Sequence, residues 1–195
     1  MKLRESGMPP EEYWETLLDV PAILDRFGFG PDIGDVAELG CGYGTFTVPL
    51  AARIRGTVHA IDLDPAMIER TAHRARAAEL SNVSAQQRDV LHDGFGVPPA
   101  SCDAVMLFNI LHAEEPVALL QAACAALRPG GLVAVIHWRT DIATPRGPSA
   151  DIRPSPEQIL AWSSATGQLE PAGAPFLLPP WHYGLKLLKR PGSQT

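Results

Sequence analysis

Gly40, Gly42 and Gly44 recur at two-residue spacing between a short apolar run and a helical pattern. Without side chains, backbone N–H groups can approach a ligand closely, and a helix start favours negative charge. Asp62 ends the next apolar run. A carboxylate there can accept both hydroxyls of a ribose, so loop and acid together point to a nucleoside-containing ligand. Glu38 stands just ahead of the first glycine. Beside a pyrophosphate it would repel; beside a cation it would attract. The G-x-G-x-G spacing also departs from the G-x-G-x-x-G of dinucleotide folds.

Acid–base candidates are fewer. His112 follows the fourth strand pattern and His137 ends the fifth, and each is weighed as a base against the commoner role of a hydrogen-bonded structural histidine. His59 and His73 fall in a strand and a helix, as packing and surface residues. Tyr13, Trp14 and Arg139 are candidate substrate contacts, with core packing or solvent exposure as the alternatives. Trp181, His182 and Tyr183 form a second aromatic group, and Arg146 and Arg153 flank a Pro-rich segment where they contact an anionic acceptor or face water. No H-E-x-x-H or C-x-x-C pair occurs, so no metal is expected; Asn109, His137 and Asp141 are the minor alternative. Cys41, Cys102 and Cys124 fit neither a disulfide framework nor a zinc site. Each reads as a small buried hydrophobe, Cys41 being the one to watch for alkylation.

Strands and helices must present these groups. Asp35 to Leu39, Thr57 to Ile61, Val83 to Gln87, Ala104 to Phe108 and Leu132 to Trp138 read as strands. Phe46, Leu50 and Ile54 form a helical stripe, with Pro49 in the first turn. Asp64 and Pro65 suit the cap and first position of a helix carrying Ile68, Ala72 and Ala75. Pro116 opens another helix, which Pro129-Gly130-Gly131 stops. Alternation with short connections implies βαβ units and a doubly wound, mostly parallel α/β sheet. Ligands of such sheets bind at the carboxyl ends of the strands. Outside this core, Pro10 to Leu18 and Pro21 to Phe27 read as helices, and Glu157 to Thr166 as another. Leu169 to Leu178 and His182 to Leu188 read as closing strands, and 139–156 as a lid or binding loop.

Four motifs carry a resemblance. Glu38-Leu39-Gly40-Cys41-Gly42-Tyr43-Gly44 resembles the first motif of class I S-adenosylmethionine-dependent methyltransferases. Asp62-Leu63-Asp64 is similar to the second, Arg88-Asp89-Val90 to the third, and Leu127-Arg128-Pro129-Gly130-Gly131-Leu132 to the turn before the fifth strand. The match covers somewhat over half the chain and implies a Rossmann-like, seven-stranded sheet with an antiparallel C-terminal strand. It implies that Gly40, Gly42 and Gly44 pack under the cofactor's methionine and ribose, with Glu38 near the amino group. Asp62 would hold the ribose hydroxyls, with Leu63 on the adenine face. Asp89 and the Val90 N–H would meet the adenine edge, and Asn109 the methionine end. The expected cofactor is S-adenosyl-L-methionine, and the resemblance is silent on the methyl acceptor.

Composition sets the outer limits. A chain of 195 residues, 46% hydrophobic, favours one domain over residues 1–195. It divides into N-terminal cap helices (1–30), a cofactor core (34–139) and a lid loop, helix and closing strands (140–195). A formal charge of −6 lacks the basic stripe of a nucleic-acid binder, so a small-molecule substrate is expected. No apolar run approaches the ~20 residues of a membrane span. The acidic first thirty residues lack the apolar stretch of a secretory signal, which points to the cytoplasm. The competing readings are a cofactor-binding or regulatory protein without turnover, and an NAD(P)-dependent oxidoreductase. The glycine spacing and Glu38 disfavour the latter.

Overall fold

The structure, a computed structural model, describes residues 8–192. Two short helices, α1 (Glu11–Glu15) and α2 (Val20–Phe27), precede β1 (Val36–Leu39), α3 (Thr47–Ala51), β2 (Val58–Asp62) and α4 (Pro65–Ala77). There follow β3 (Val83–Gln87), α5 (Val90–Asp93), β4 (Cys102–Phe108), α6 (Pro116–Ala126) and β5 (Leu127–Trp138). The chain then adds α7 (Pro156–Ala165), β6 (Leu169–Pro171), β7 (Phe176–Leu178) and β8 (His182–Lys189).

All strands join one eight-stranded sheet in the order β3-β2-β1-β4-β5-β8-β6, with β7 also on β8. Strands β1 to β5 run parallel, and β8 is antiparallel to β5, β6 and β7. The expected seven strands are therefore eight. The single strand expected over 169–178 is two, because Pro171 ends β6 and Gly173, at φ +101°, turns the chain before Pro175. Proline cannot donate to a ladder, so the run breaks and its halves dock on opposite ends of β8. Strand β5 begins five residues earlier than expected, at Leu127, which pairs with Cys102 before the register jumps to Ala104 and Leu132.

Both sheet faces are covered, so the central strands are apolar at nearly every position. On one face Leu39, Leu107 and Val135 pack with Leu119, Leu120 and Ile159 of α6 and α7. On the other, Val36, Met106 and Ile136 pack with Leu24 and Phe27 of α2 and Leu50 of α3. Local chemistry starts the helices where the sequence suggests. Asp64 accepts from the Ala66 N–H at 2.8 Å with Pro65 in the first turn, and Ser155 and Gln158 close a reciprocal capping box on α7. Among the described residues no helix is long and apolar enough to cross a membrane.

Candidate functional site

Parallel register brings the expected cofactor residues to one rim. Leu39 pairs with Ile61 and Leu107, Asp62 with Gln87, and Phe108 with Ile136. The ends of these strands and the segments that follow them carry, in lateral order along the carboxyl edge from β3 to β5, Asp89–Val90, Asp62–Leu63, Gly40–Gly44, Asn109 and His137.

The glycine loop is held from both sides. Gly40, Gly42 and Gly44 have φ of +75°, +54° and +77°. The N–H groups of Gly40 and Cys41 donate to the Ile61 carbonyl at 2.7 and 3.1 Å. Gly42 N–H donates to Asp62 Oδ2 at 3.0 Å, and its carbonyl accepts from Thr71 Oγ1 at 2.9 Å. Asp62 Oδ1 takes the Asp64 N–H at 3.0 Å. Each carboxylate oxygen of Asp62 thus spends one acceptor position on the fold and keeps another, which suits a vicinal diol. Thr71 was not singled out from the sequence. A threonine on a helix face carries no signal of the loop it will meet 29 residues away in sequence.

At the other end of the loop the polar groups are acceptors. Glu38 is 3% exposed and accepts from Thr47 Oγ1. Burial raises its carboxyl to about 8; the Thr47 bond opposes this and the charge of Asp62 adds to it. Asn109 follows β4 with φ +56°, and its buried Oδ1 has no hydrogen-bond partner. A buried acceptor left unmatched after β4, and a buried acid on the neighbouring β1, fit an ammonium-bearing ligand. Leu63 is exposed beside Asp62, as a base-stacking surface requires, with its carbonyl tied by the Gln87 side chain. Asp89 caps α5 through the Leu91 N–H at 3.1 Å. Val90 is the first residue of α5, where an N–H has no intrahelical acceptor.

The structure also brings the two histidine candidates together. Their rings lie 5.6 Å apart, edge to face. His137 is fully buried, and its Nδ1 accepts from the Trp138 N–H at 3.0 Å, which places its proton on Nε2. Burial, reinforced by the charges of His112, His182 and Arg153, holds its pKa well below the usual range. His182 stacks on Trp138 at 4.1 Å and is pushed down to about 4 by burial and Arg153. Trp14 meets Trp138 edge-on at 6.5 Å, whereas Tyr13 is exposed. Arg139 forms a two-point pair with Asp141 at 2.9 and 2.6 Å. Arg153 bonds the Pro148 carbonyl (2.6 Å), Thr144 Oγ1 (2.7 Å) and the Arg146 and Arg139 carbonyls, so it organises the 139–153 segment. Cys41 is buried against Thr71, as expected of a small buried hydrophobe, and burial pushes its thiol pKa far up, which disfavours alkylation there. Among the described residues, no group of three His, Cys, Asp or Glu is placed to hold a metal ion.

These groups set opposing pH dependences. Glu38, raised from 4.5 to about 8, stabilises the free fold at low pH, and this contribution is lost as pH rises toward 8. His182, lowered from 6.5 to about 4, contributes fully above 6.5 and loses its contribution as pH falls. Above pH 6.5 the Glu38 loss acts without an opposing gain from His182, so the cofactor-free protein melts at lower temperature at pH 8 than at 6.5. In Glu38→Gln that alkaline decline flattens. Calorimetric scans of both proteins across this range check it, and an equal decline in the variant refutes the assignment.

Sheet order, glycine loop and strand-end acid define an α/β protein that binds a nucleoside carrying a cationic group. The sequence profile of the family described as "Methyltransferase domain" matches residues 36–131. Aklanonic acid methyltransferase DauC of Streptomyces sp. (strain C5) is 33% identical over 51% of this chain and 46% of its own length. The 23S rRNA (uracil(1939)-C(5))-methyltransferase RlmD of Chromohalobacter salexigens is 34% identical over 70% of this chain and 28% of its own. A SAM-dependent methyltransferase from Aquifex aeolicus superposes with a TM-score of 0.81 at 19% identity, covering 94% of this chain and all of that one. Residues 36–131 thus match a methyltransferase domain, and the chain has the fold of the class I S-adenosylmethionine-dependent methyltransferases. It spans less than half the length of the two curated relatives.

Proposed function

We propose that the protein transfers a methyl group from S-adenosylmethionine to a small-molecule acceptor. The observation that carries this reading is the donor-poor end of the glycine loop, where buried Glu38 and the unpartnered Asn109 Oδ1 await a cation. When bound, the cofactor supplies an electrophilic methyl group on a sulfonium sulfur. The protein's share is alignment and exclusion of water. Asp62 holds the ribose hydroxyls, with the backbone of Gly40, Gly42 and Gly44 beneath. Leu63 covers the base, whose edge meets Asp89 and the Val90 N–H. Glu38 and Asn109 orient the amino-acid end.

Where the acceptor must lose a proton, His112 takes it, and His137 is a positioning residue that holds the His112 ring. Tyr13, Trp14 and Arg139 line the acceptor side. A small acceptor is supported by the net charge of −6 and by the likeness to a methyltransferase named for aklanonic acid. The match to an rRNA enzyme covers 28% of that protein, and a net charge of −6 does not favour tracking an RNA backbone. In this reading 1–195 is a single cytoplasmic unit, with 8–30 and 139–156 covering the rim; residues 1–7 of the expected cap lie outside the described residues.

The test has two arms. Calorimetric titration gives binding of S-adenosylmethionine and S-adenosylhomocysteine but not of NADH. A panel of phenols, carboxylic acids and amines, assayed for S-adenosylhomocysteine formation, gives turnover with one of these classes. NADH binding in place of the methyl donor overturns the cofactor assignment, and donor binding without turnover on any acceptor overturns the transferase assignment.

A further inference from the structure

Helix α1 is five residues long, buries none of them and has no side-chain cap. Propensity does not account for so short a helix, whose packing includes the half-buried Trp14 against Trp138 and the core beneath it. Charge supplies a second anchor. Glu11 accepts from Arg70 at 2.8 and 3.0 Å and from Arg74 at 2.9 Å, and Glu15 accepts from Arg74 at 2.7 Å. The same Arg74 nitrogen lies 3.2 Å from the Tyr43 carbonyl, inside the glycine loop. Tyr43 in turn donates its hydroxyl to the Pro9 carbonyl at 2.8 Å. The Met8 methyl group sits 3.1 Å from where a Cβ on Gly42 would stand. Thr71, on the adjoining turn of α4, holds the Gly42 carbonyl. One face of α4 therefore grips the loop from behind and the N-terminal segment from above.

We propose that Arg74 is a positioning residue for the cofactor site, latching residues 8–15 over the glycine loop so that cofactor release requires the Glu11–Arg74–Glu15 cluster to open. The inference rests on the reading that this loop binds S-adenosylmethionine. Exposed ion pairs contribute little to fold stability and are screened by salt. An open–closed equilibrium of one short segment is governed by energies of that size, and a small bias shifts its populations.

The test follows release of S-adenosylhomocysteine from the full chain by stopped-flow fluorescence at low and high NaCl. Wild type releases it faster as salt rises. The double variant Glu11→Gln/Glu15→Gln releases it about threefold to tenfold faster at low salt and loses most of the salt dependence. Arg74→Gln behaves likewise, and Arg74→Lys recovers part of the salt dependence because the charge returns. Glu170→Gln, which removes the remote pair with Arg190, releases at the wild-type rate. Release from the double variant at the wild-type rate and with wild-type salt dependence overturns the latch while leaving the cofactor reading intact. Equal acceleration by Glu170→Gln also overturns it. A wild type that does not bind S-adenosylhomocysteine removes the cofactor reading itself.

Discussion

Asp62→Ala weakens S-adenosylhomocysteine binding by about two orders of magnitude. The substitution deletes the proposed acceptor for the ribose and also the acceptors for two backbone N–H groups, those of Gly42 and Asp64. Hydrogen bonds to a charged group contribute roughly 1.5–3 kcal/mol each, and losing the loop's own tie to β2 adds disorder to the binding surface. Asp62→Asn retains one carbonyl oxygen and falls in between, at about tenfold. Isothermal titration of the three proteins decides the matter. An affinity of the alanine variant within about threefold of wild type removes Asp62 from the ribose site.

The second large effect is on the fold and the site together. Gly44 has φ +77°, and a Cβ built there stands 3.0 Å from Thr71 Oγ1 and 3.3 Å from the Thr71 Cα. A branched side chain in this left-handed conformation costs about 1–2 kcal/mol, and overpacking against helix backbone about 1–3 kcal/mol more. Gly44→Val therefore lowers the melting temperature by roughly 4–20 °C for a chain of this size. It also abolishes cofactor binding, because the displaced helix is the one that holds the Gly42 carbonyl. Differential scanning calorimetry and titration report the two losses. A variant that melts with wild type shows that the loop has room the geometry denies.

Much of this was legible in the chain before its structure. Apolar runs of strand length, helical stripes and the Asp64–Pro65 start are local properties, so the parallel core and the rim order followed from them. Glu38, the three glycines and Asp62 were found because their chemistry sits within or beside one motif. What escaped was made by residues distant in sequence. Thr71 and Arg74 are ordinary helix residues until folding sets them against carbonyls of the glycine loop, and Arg153, expected to meet an anionic acceptor or water, instead bonds carbonyls of 139–148. His182 gains its character from stacking on Trp138, a neighbour supplied by the antiparallel pairing of β8 with β5. Glu38 is met by Thr47, the first residue of the following helix, because a buried hydroxyl satisfies a carboxyl without bringing in a second charge.

The interrupted strand pair on β8 has a bearing on self-association. An open sheet has two borders, and either can template the addition of a foreign strand. One border here is β3, five residues long and carrying Ser84, Gln86 and Gln87. The other is divided into two three-residue pieces, β6 and β7, separated by a glycine and bracketed by Pro171 and Pro175. Neither border presents a long, flat, apolar ladder, so the protein is protected against stacking edge to edge into fibrils at high concentration.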